Sequence, residues 1–129
     1  MHPLREAVEN NDHAAVEALL ADDVTFTSPV AYRPYPGKPI TAAILRAVSG
    51  VFADFRYVRE ISSADGRDHA LIFTARVGEK EINGCDFLHT NENGLIDDFT
   101  VMVRPLSAAT ALGEAMAARF EQIKQEAGA

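Results

Sequence analysis

Cysteine occurs once in this sequence, at Cys85, and tryptophan not at all. A single thiol cannot form an intramolecular disulfide, and no Cys/His group has the spacing of a zinc site, so neither covalent staples nor a metal is expected. Cys85 itself reads as a small buried hydrophobe. Positive charge is also scarce: twelve Lys and Arg, scattered along the chain, face nineteen Asp and Glu, for a net charge of -7. That leaves no basic stripe for phosphates and argues against nucleic acid as a partner. No apolar run approaches the roughly 20 residues of a membrane span, and the start, MHPLREAVENN, lacks the apolar core of a secretory signal. The expectations are no membrane contact and a cytoplasmic location.

What is present is enough for one core. The 129 residues, 47% of them hydrophobic, are expected to form a single domain over residues 1-129. HPLREAVENNDHAAVEALLADD reads as two short helices, with Pro3 suited to a first helical position and Asp12 to the N-cap of a helix from His13 to Leu20. Val16, Leu19 and Leu20 form its apolar face. A strand from Val24 to Ser28 and a proline-rich loop, PVAYRPYPGKP, lead to a third helix in which Ile40, Ile44, Val48, Val51 and Phe52 keep helical spacing. Four strands follow, FRYVREISS, HALIFTARVG, EINGCDFLHT and LIDDFTVMVRP, separated by the turn signals ADGRD, GEKE and NENG. After Pro105 comes one last helix with an apolar stripe of Ala109, Leu112, Met116, Phe120 and Ile123. The order predicts an α+β fold: a cone-like curved antiparallel sheet packed on N-terminal helices, closed by a C-terminal helix and enclosing a pocket.

Strand parity then sorts the candidates. On EINGCDFLHT, alternation puts Ile82, Gly84, Asp86 and Leu88 on one face and Asn83, Cys85, Phe87 and His89 on the other. Asp86 is the lone ionisable group on its face. Either it is a pocket acid or base with a raised pKa, or it pairs with an arginine such as Arg76, or it faces solvent. On the last strand Phe99, Val101 and Val103 are expected inward as apolar walls. Ser28 ends its strand before Pro29, either capping local backbone or standing in the pocket wall as a hydrogen-bonding group. Tyr32 and Tyr35 are expected over the opening, as gates or lids. His13, His69 and His89 lie on separate elements without a shared carboxylate and read as structural or solvated.

ALLADDVTFTSPV, then NGCDFLHTNENGLIDDFTVMVRP and the helix after it, resemble the SnoaL-like branch of the nuclear transport factor 2 superfamily, over nearly the whole chain. The resemblance implies the NTF2-like α+β barrel and a family of ketosteroid isomerases, polyketide cyclases, dehydratases, epoxide hydrolases and binders. In the isomerase branch a D-P-V signature supplies the general base, and here the same place reads SPV, with Ser28 replacing the Asp. The family's tyrosine on the first helix aligns with Leu4. The third position survives: Asp86, eight residues before Gly94, falls where the isomerases keep a protonated Asp that donates to the enolate oxygen. An unactivated serine is no base for a carbon acid, so an isomerase of the ketosteroid type is not expected.

The leading expectation is a SnoaL-like pocket protein for a small hydrophobic carbonyl compound, acting by proton transfer as an isomerase, cyclase or dehydratase, with Asp86 catalytic. Ser28, Tyr32, Tyr35, Ile82, Leu88, Phe99, Val101 and Val103 are its expected ligand contacts, and no cofactor is implied. The outer sheet face carries Val58, Phe87, Thr100 and Met102, and a homodimer through it is expected. Two other classes stay open: a non-catalytic binding module, and an interaction domain in which the pocket is vestigial and the outer sheet face binds a partner.

Overall fold

The computed structural model of the chain describes residues 1–128. Two short helices open it, α1 (Pro3–Glu9) and α2 (His13–Ala18). Pro3 occupies the first turn of α1, and the Asp12 side chain accepts the Ala15 N–H at 3.1 Å to cap α2. Next come β1 (Leu20–Thr27), a two-residue β2 (Tyr35–Pro36) and α3 (Lys38–Ser49). β3 (Ala53–Ser62), β4 (Asp68–Val77), β5 (Lys80–Thr90) and β6 (Ile96–Arg104) then run as three successive hairpins. The β4–β5 connection is the two-residue pair Gly78-Glu79, with Gly78 at φ +60°, a conformation that suits glycine in a tight hairpin turn. α4 (Leu106–Ala117) and α5 (Phe120–Glu126) end the described chain.

The strands form one sheet in the order β2-β1-β6-β5-β4-β3. The expected layout holds with two corrections. The sheet is mixed, because β6 pairs parallel with β1 after the intervening helix and hairpins bring the chain back beside it. It also stays open, with β2 and β3 as its edges, so the cone is not a closed barrel. Register shifts in the β1–β6, β3–β4 and β5–β6 pairings bend the sheet, and its concave face carries the core. On β5 the buried residues are Ile82, Gly84, Asp86, Leu88 and Thr90, in strict alternation. Phe87 and Met102 are exposed on the opposite face, and Val58 and Ile61 are exposed on β3.

Three helix ends differ from the sequence expectation. α2 stops at Ala18, because Leu20 is drawn into the sheet opposite Ile96 and both are fully buried there. α3 stops at Ser49 with Gly50 as its cap, which frees Phe52 to turn toward the concave face. The last helix is two helices. The break at Ala118 and Arg119 lets α5 fold back on α3 and sets the Phe120 ring 6.3 Å from that of Tyr35. No described helix is long and apolar enough to cross a membrane.

Candidate functional site

The concave face encloses a cavity of about 290 Å³. Its wall is chiefly apolar. α1 gives Leu4 and Val8, β1 gives Phe26, α3 gives Val48, and α4 gives Leu112 and Met116. Four more aromatic rings, Phe52, Phe55, Tyr57 and Phe73, form a connected cluster with neighbouring centroids 4.8 to 6.3 Å apart. Aromatic side chains at such spacing make a rigid wall.

Asp86 is set into this wall. Only 6% of it is exposed, and its neighbours across the ladder are Leu71 on β4 and Val101 on β6. Tyr57 Oη donates to Asp86 Oδ2 at 2.7 Å, and among the described residues it is the carboxyl's one side-chain partner. Burial among apolar groups disfavours the ionised form and raises the Asp86 pKa to about 7, while the Tyr57 hydrogen bond opposes that rise. Tyr57 in turn is pushed well above the ordinary tyrosine range, first by burial and then by the Asp86 charge. Arg76 does not reach Asp86. Its guanidinium binds the Asp54 carboxylate, with Nε 2.8 Å from Oδ2. Asp54 sits at a bulge of β3 with φ +54° and lines the cavity's exposed end.

Ser28 also lines the cavity, and its Oγ accepts the Val30 N–H at 3.1 Å. Both roles considered from sequence therefore meet in one hydroxyl, with its own proton left to donate. Phe99 and Val101 stand in the wall.

Five other expected contacts do not. Tyr32 is 98% exposed and Tyr35 packs on Phe120, because Tyr35 pairs with Phe26 and Gly37 N donates to Val24 O at 2.7 Å. Those bonds fold the loop's end back along β1, while Pro29 and Val30 at its start line the cavity. Ile82, Leu88 and Val103 have inward parity but lie off the cavity, which touches β5 only at Asp86 and β6 only at Phe99 and Val101 among the described residues. Each strand crosses the concave face, so only its middle meets the cavity, and α4 packs over part of β4, β5 and β6.

Tyr57 and the phenylalanine cluster escaped the sequence reading. The signal existed in the alternation of Phe55 with Tyr57 on β3 and of Leu71, Phe73 and Ala75 on β4, but nothing local says that these strands face Asp86. His13 lines the cavity's exposed end. His69 accepts from or donates to Ser62 Oγ at 2.8 Å and His89 pairs with Asp97 at 2.6 Å, both in a shallow groove away from the cavity. Among the described residues no three His, Cys, Asp or Glu side chains converge for a metal ion.

Residues 4–99 match the model of the SnoaL-like domain. A crystal structure of a steroid delta-isomerase from Pseudomonas aeruginosa is 44% identical, with a TM-score of 0.86 over 91% of this chain and 85% of that one. A protein with a cystatin-like fold from Silicibacter pomeroyi is 39% identical, with a TM-score of 0.86 over 98% and 95%. A candidate polyketide cyclase from Pseudomonas putida shares the fold at 20% identity and a TM-score of 0.67, over 82% and 89%. No curated protein matches the sequence. The chain belongs to the SnoaL-like family, on the nuclear transport factor 2 fold.

Proposed function

We propose that the cavity binds a small neutral carbonyl compound and that Asp86 moves a proton on it. One observation carries the reading: a buried carboxyl set in an apolar wall, with Oδ2 held by Tyr57 and Oδ1 left for a guest. With a pKa of about 7 the group is divided between acid and base near neutral pH, which suits it to take a proton from carbon and return it. In a double-bond shift next to a ketone, the Asp86 carboxylate breaks a C–H bond α to the carbonyl, the double bond moves into conjugation, and the same proton is delivered to the γ carbon. Atoms and charge balance without a co-reactant. The Ser28 hydroxyl lines the same cavity and supplies a donor for the carbonyl oxygen, on which charge develops. The relative named as a steroid delta-isomerase supports this reaction class. Glu9, Glu17, Asp54 and Asp86 outnumber Arg46 and His13 along the lining, so a neutral guest is favoured over a carboxylate.

The test is isomerisation of 3-cyclohexenone, followed by the absorbance of the conjugated product. Wild-type protein should turn it over, with a rate that rises as pH passes through about 7. Asp86→Asn should lose at least about 100-fold, the usual worth of a general base. Ser28→Ala should retain part of the activity. Full turnover by Asp86→Asn overturns the reading, and a wild type that binds the ketone without converting it assigns the cavity to binding alone.

A further inference from the structure

The cavity's aromatic wall contains a contact that only glycine permits. Phe73 on β4 and Gly84 on β5 are directly opposed in register, and the Phe73 ring lies across the β5 backbone at that point. A Cβ built on Gly84 would meet Phe73 Cζ at 2.1 Å and two further ring atoms within 2.8 Å. On its other side the ring stacks on Phe55 at 4.8 Å and meets Phe52 at 5.5 Å. Phe73 is 1% exposed, so it has no room to retreat: β5 blocks it behind and the neighbouring rings hold it at the side. The space in front of it, about 290 Å³, is therefore fixed at this wall. An apolar cavity of about 150 Å³ accepts one benzene ring, which makes this one roomy enough for about two rings.

We propose that the Phe73–Gly84 pair sets the size of the guest that seats beside Asp86, favouring carbonyl compounds of one or two rings over the four fused rings of a steroid. This rests on the carbonyl-binding reading of the cavity and adds the residue pair that limits it. Gly84 acts by absence: with no Cβ, it lets the tip of the Phe73 ring rest against the strand and keeps the cavity open in front of Asp86, two residues along the same face. A side chain at residue 84 drives the ring forward into the space that the guest needs. Removal of the ring adds to the cavity the volume that the ring fills.

The experiment is calorimetric titration of the purified protein with two neutral ketones, 2-decalone with two rings and androst-4-ene-3,17-dione with four, with the fold of each variant checked by circular dichroism. Wild type should bind the decalone at least about tenfold more tightly than the steroid, a discrimination within reach of packing alone. Phe73→Ala adds about one ring of space and should narrow that preference by about tenfold. Gly84→Ala should weaken the decalone by about tenfold or more, as the displaced ring fills the cavity. Should Gly84→Ala fail to fold, the pair Phe73→Ala/Gly84→Ala relieves the clash and should behave like Phe73→Ala. Equal binding of both ketones by the wild type, or an unchanged preference in Phe73→Ala, overturns the size limit and leaves the carbonyl reading standing. A wild type that binds neither ketone overturns both.

Discussion

Asp86 and His2 are both buried ionisable side chains, and the fold treats them in opposite ways. His2 is surrounded by partners: its ring Nδ1 accepts the Leu4 N–H at 3.0 Å and so caps α1, and its backbone N–H donates to both Glu60 carboxylate oxygens at 3.0 and 3.2 Å. Arg5 completes that cluster by reaching Glu60 at 3.4 Å, and the His69 ring sits 4.7 Å from the His2 ring. Burial, with His69 adding to it, lowers the His2 pKa to about 4 and keeps the ring neutral as a hydrogen-bond acceptor. Asp86 is left with one partner and an open oxygen facing a cavity. Burial perturbs both groups, so a shifted pKa alone does not mark a site. What separates them is unspent hydrogen-bonding capacity next to empty space: His2 is consumed by the fold, and Asp86 is held available.

The comparison is broken most forcefully at Asp86. Its folded-state pKa of about 7 lies above the ordinary 3.8, so between about pH 4 and pH 7 the folded chain binds more protons than the unfolded one. Stability from this group is complete at low pH and is lost as pH rises through 7. Asp86→Asn removes the buried charge and keeps an acceptor for Tyr57. It should therefore raise unfolding free energy at pH 8 by on the order of 4 kcal/mol, at about 1.4 kcal/mol per pKa unit, while abolishing proton transfer. Urea melts at pH 4 and pH 8 check this: the gain should appear at pH 8 and nearly vanish at pH 4. A variant less stable than wild type at pH 8 would mean that Asp86, like His2, is consumed by the fold.

At His2 the sign reverses. A histidine whose pKa is lowered on folding contributes stability that is present above about pH 6.5 and is lost as pH falls through 4. His2→Asn leaves a side-chain oxygen to cap α1 and removes the titration, so it should match the wild type at pH 7 and exceed it at pH 4, by a margin that grows as pH falls from about 6.5 to 4. His2→Ala loses the cap as well and should be weaker at pH 7 by about 1 kcal/mol. Neither change should alter binding of 2-decalone at pH 7, since His2 does not line the cavity. Loss of binding in His2→Asn would show that the two regions are one.

How much of this was legible depended on how local its cause was. Pro3, Asp12 and the hairpin turns announce themselves through backbone chemistry within a few residues, and the β5 alternation that buries Asp86 is local too. The end of α2 was not legible, because Leu20 leaves the helix for a partner, Ile96, that lies far along the chain. Tyr32 and Tyr35 misled for a related reason: the loop's path is set by pairing with β1 and by Phe120, which sits at the other end of the chain. Tyr57 lies 29 residues from Asp86, and its register passes through two irregularities in the β3–β4 pairing, so no period read along the sequence predicts their contact. The site's polar centre was visible from parity, whereas its walls needed the register.

The finest test of the contrast is Tyr57→Phe, which deletes one oxygen. Tyr57 Oη supplies a hydrogen bond to the Asp86 carboxyl, and that bond favours the ionised form against the larger effect of burial. Without it Asp86 should titrate above 7, by about one unit if the bond is worth the roughly 1.5 kcal/mol of a modest charge-assisted contact. The rise in 3-cyclohexenone turnover with pH should move up by the same amount. The rate at high pH, where Asp86 is fully ionised in both proteins, should change little if Tyr57 only positions and tunes the carboxyl. The phenylalanine ring keeps the edge-to-face contacts with Phe55 and Phe73, so packing around the cavity is preserved. A carbon-detected NMR titration of Asp86 reads the shift directly, without relying on activity. A downward shift would mean that the Tyr57 oxygen was repelling the carboxylate, and Asp86 would then have no protein donor supporting it as a base.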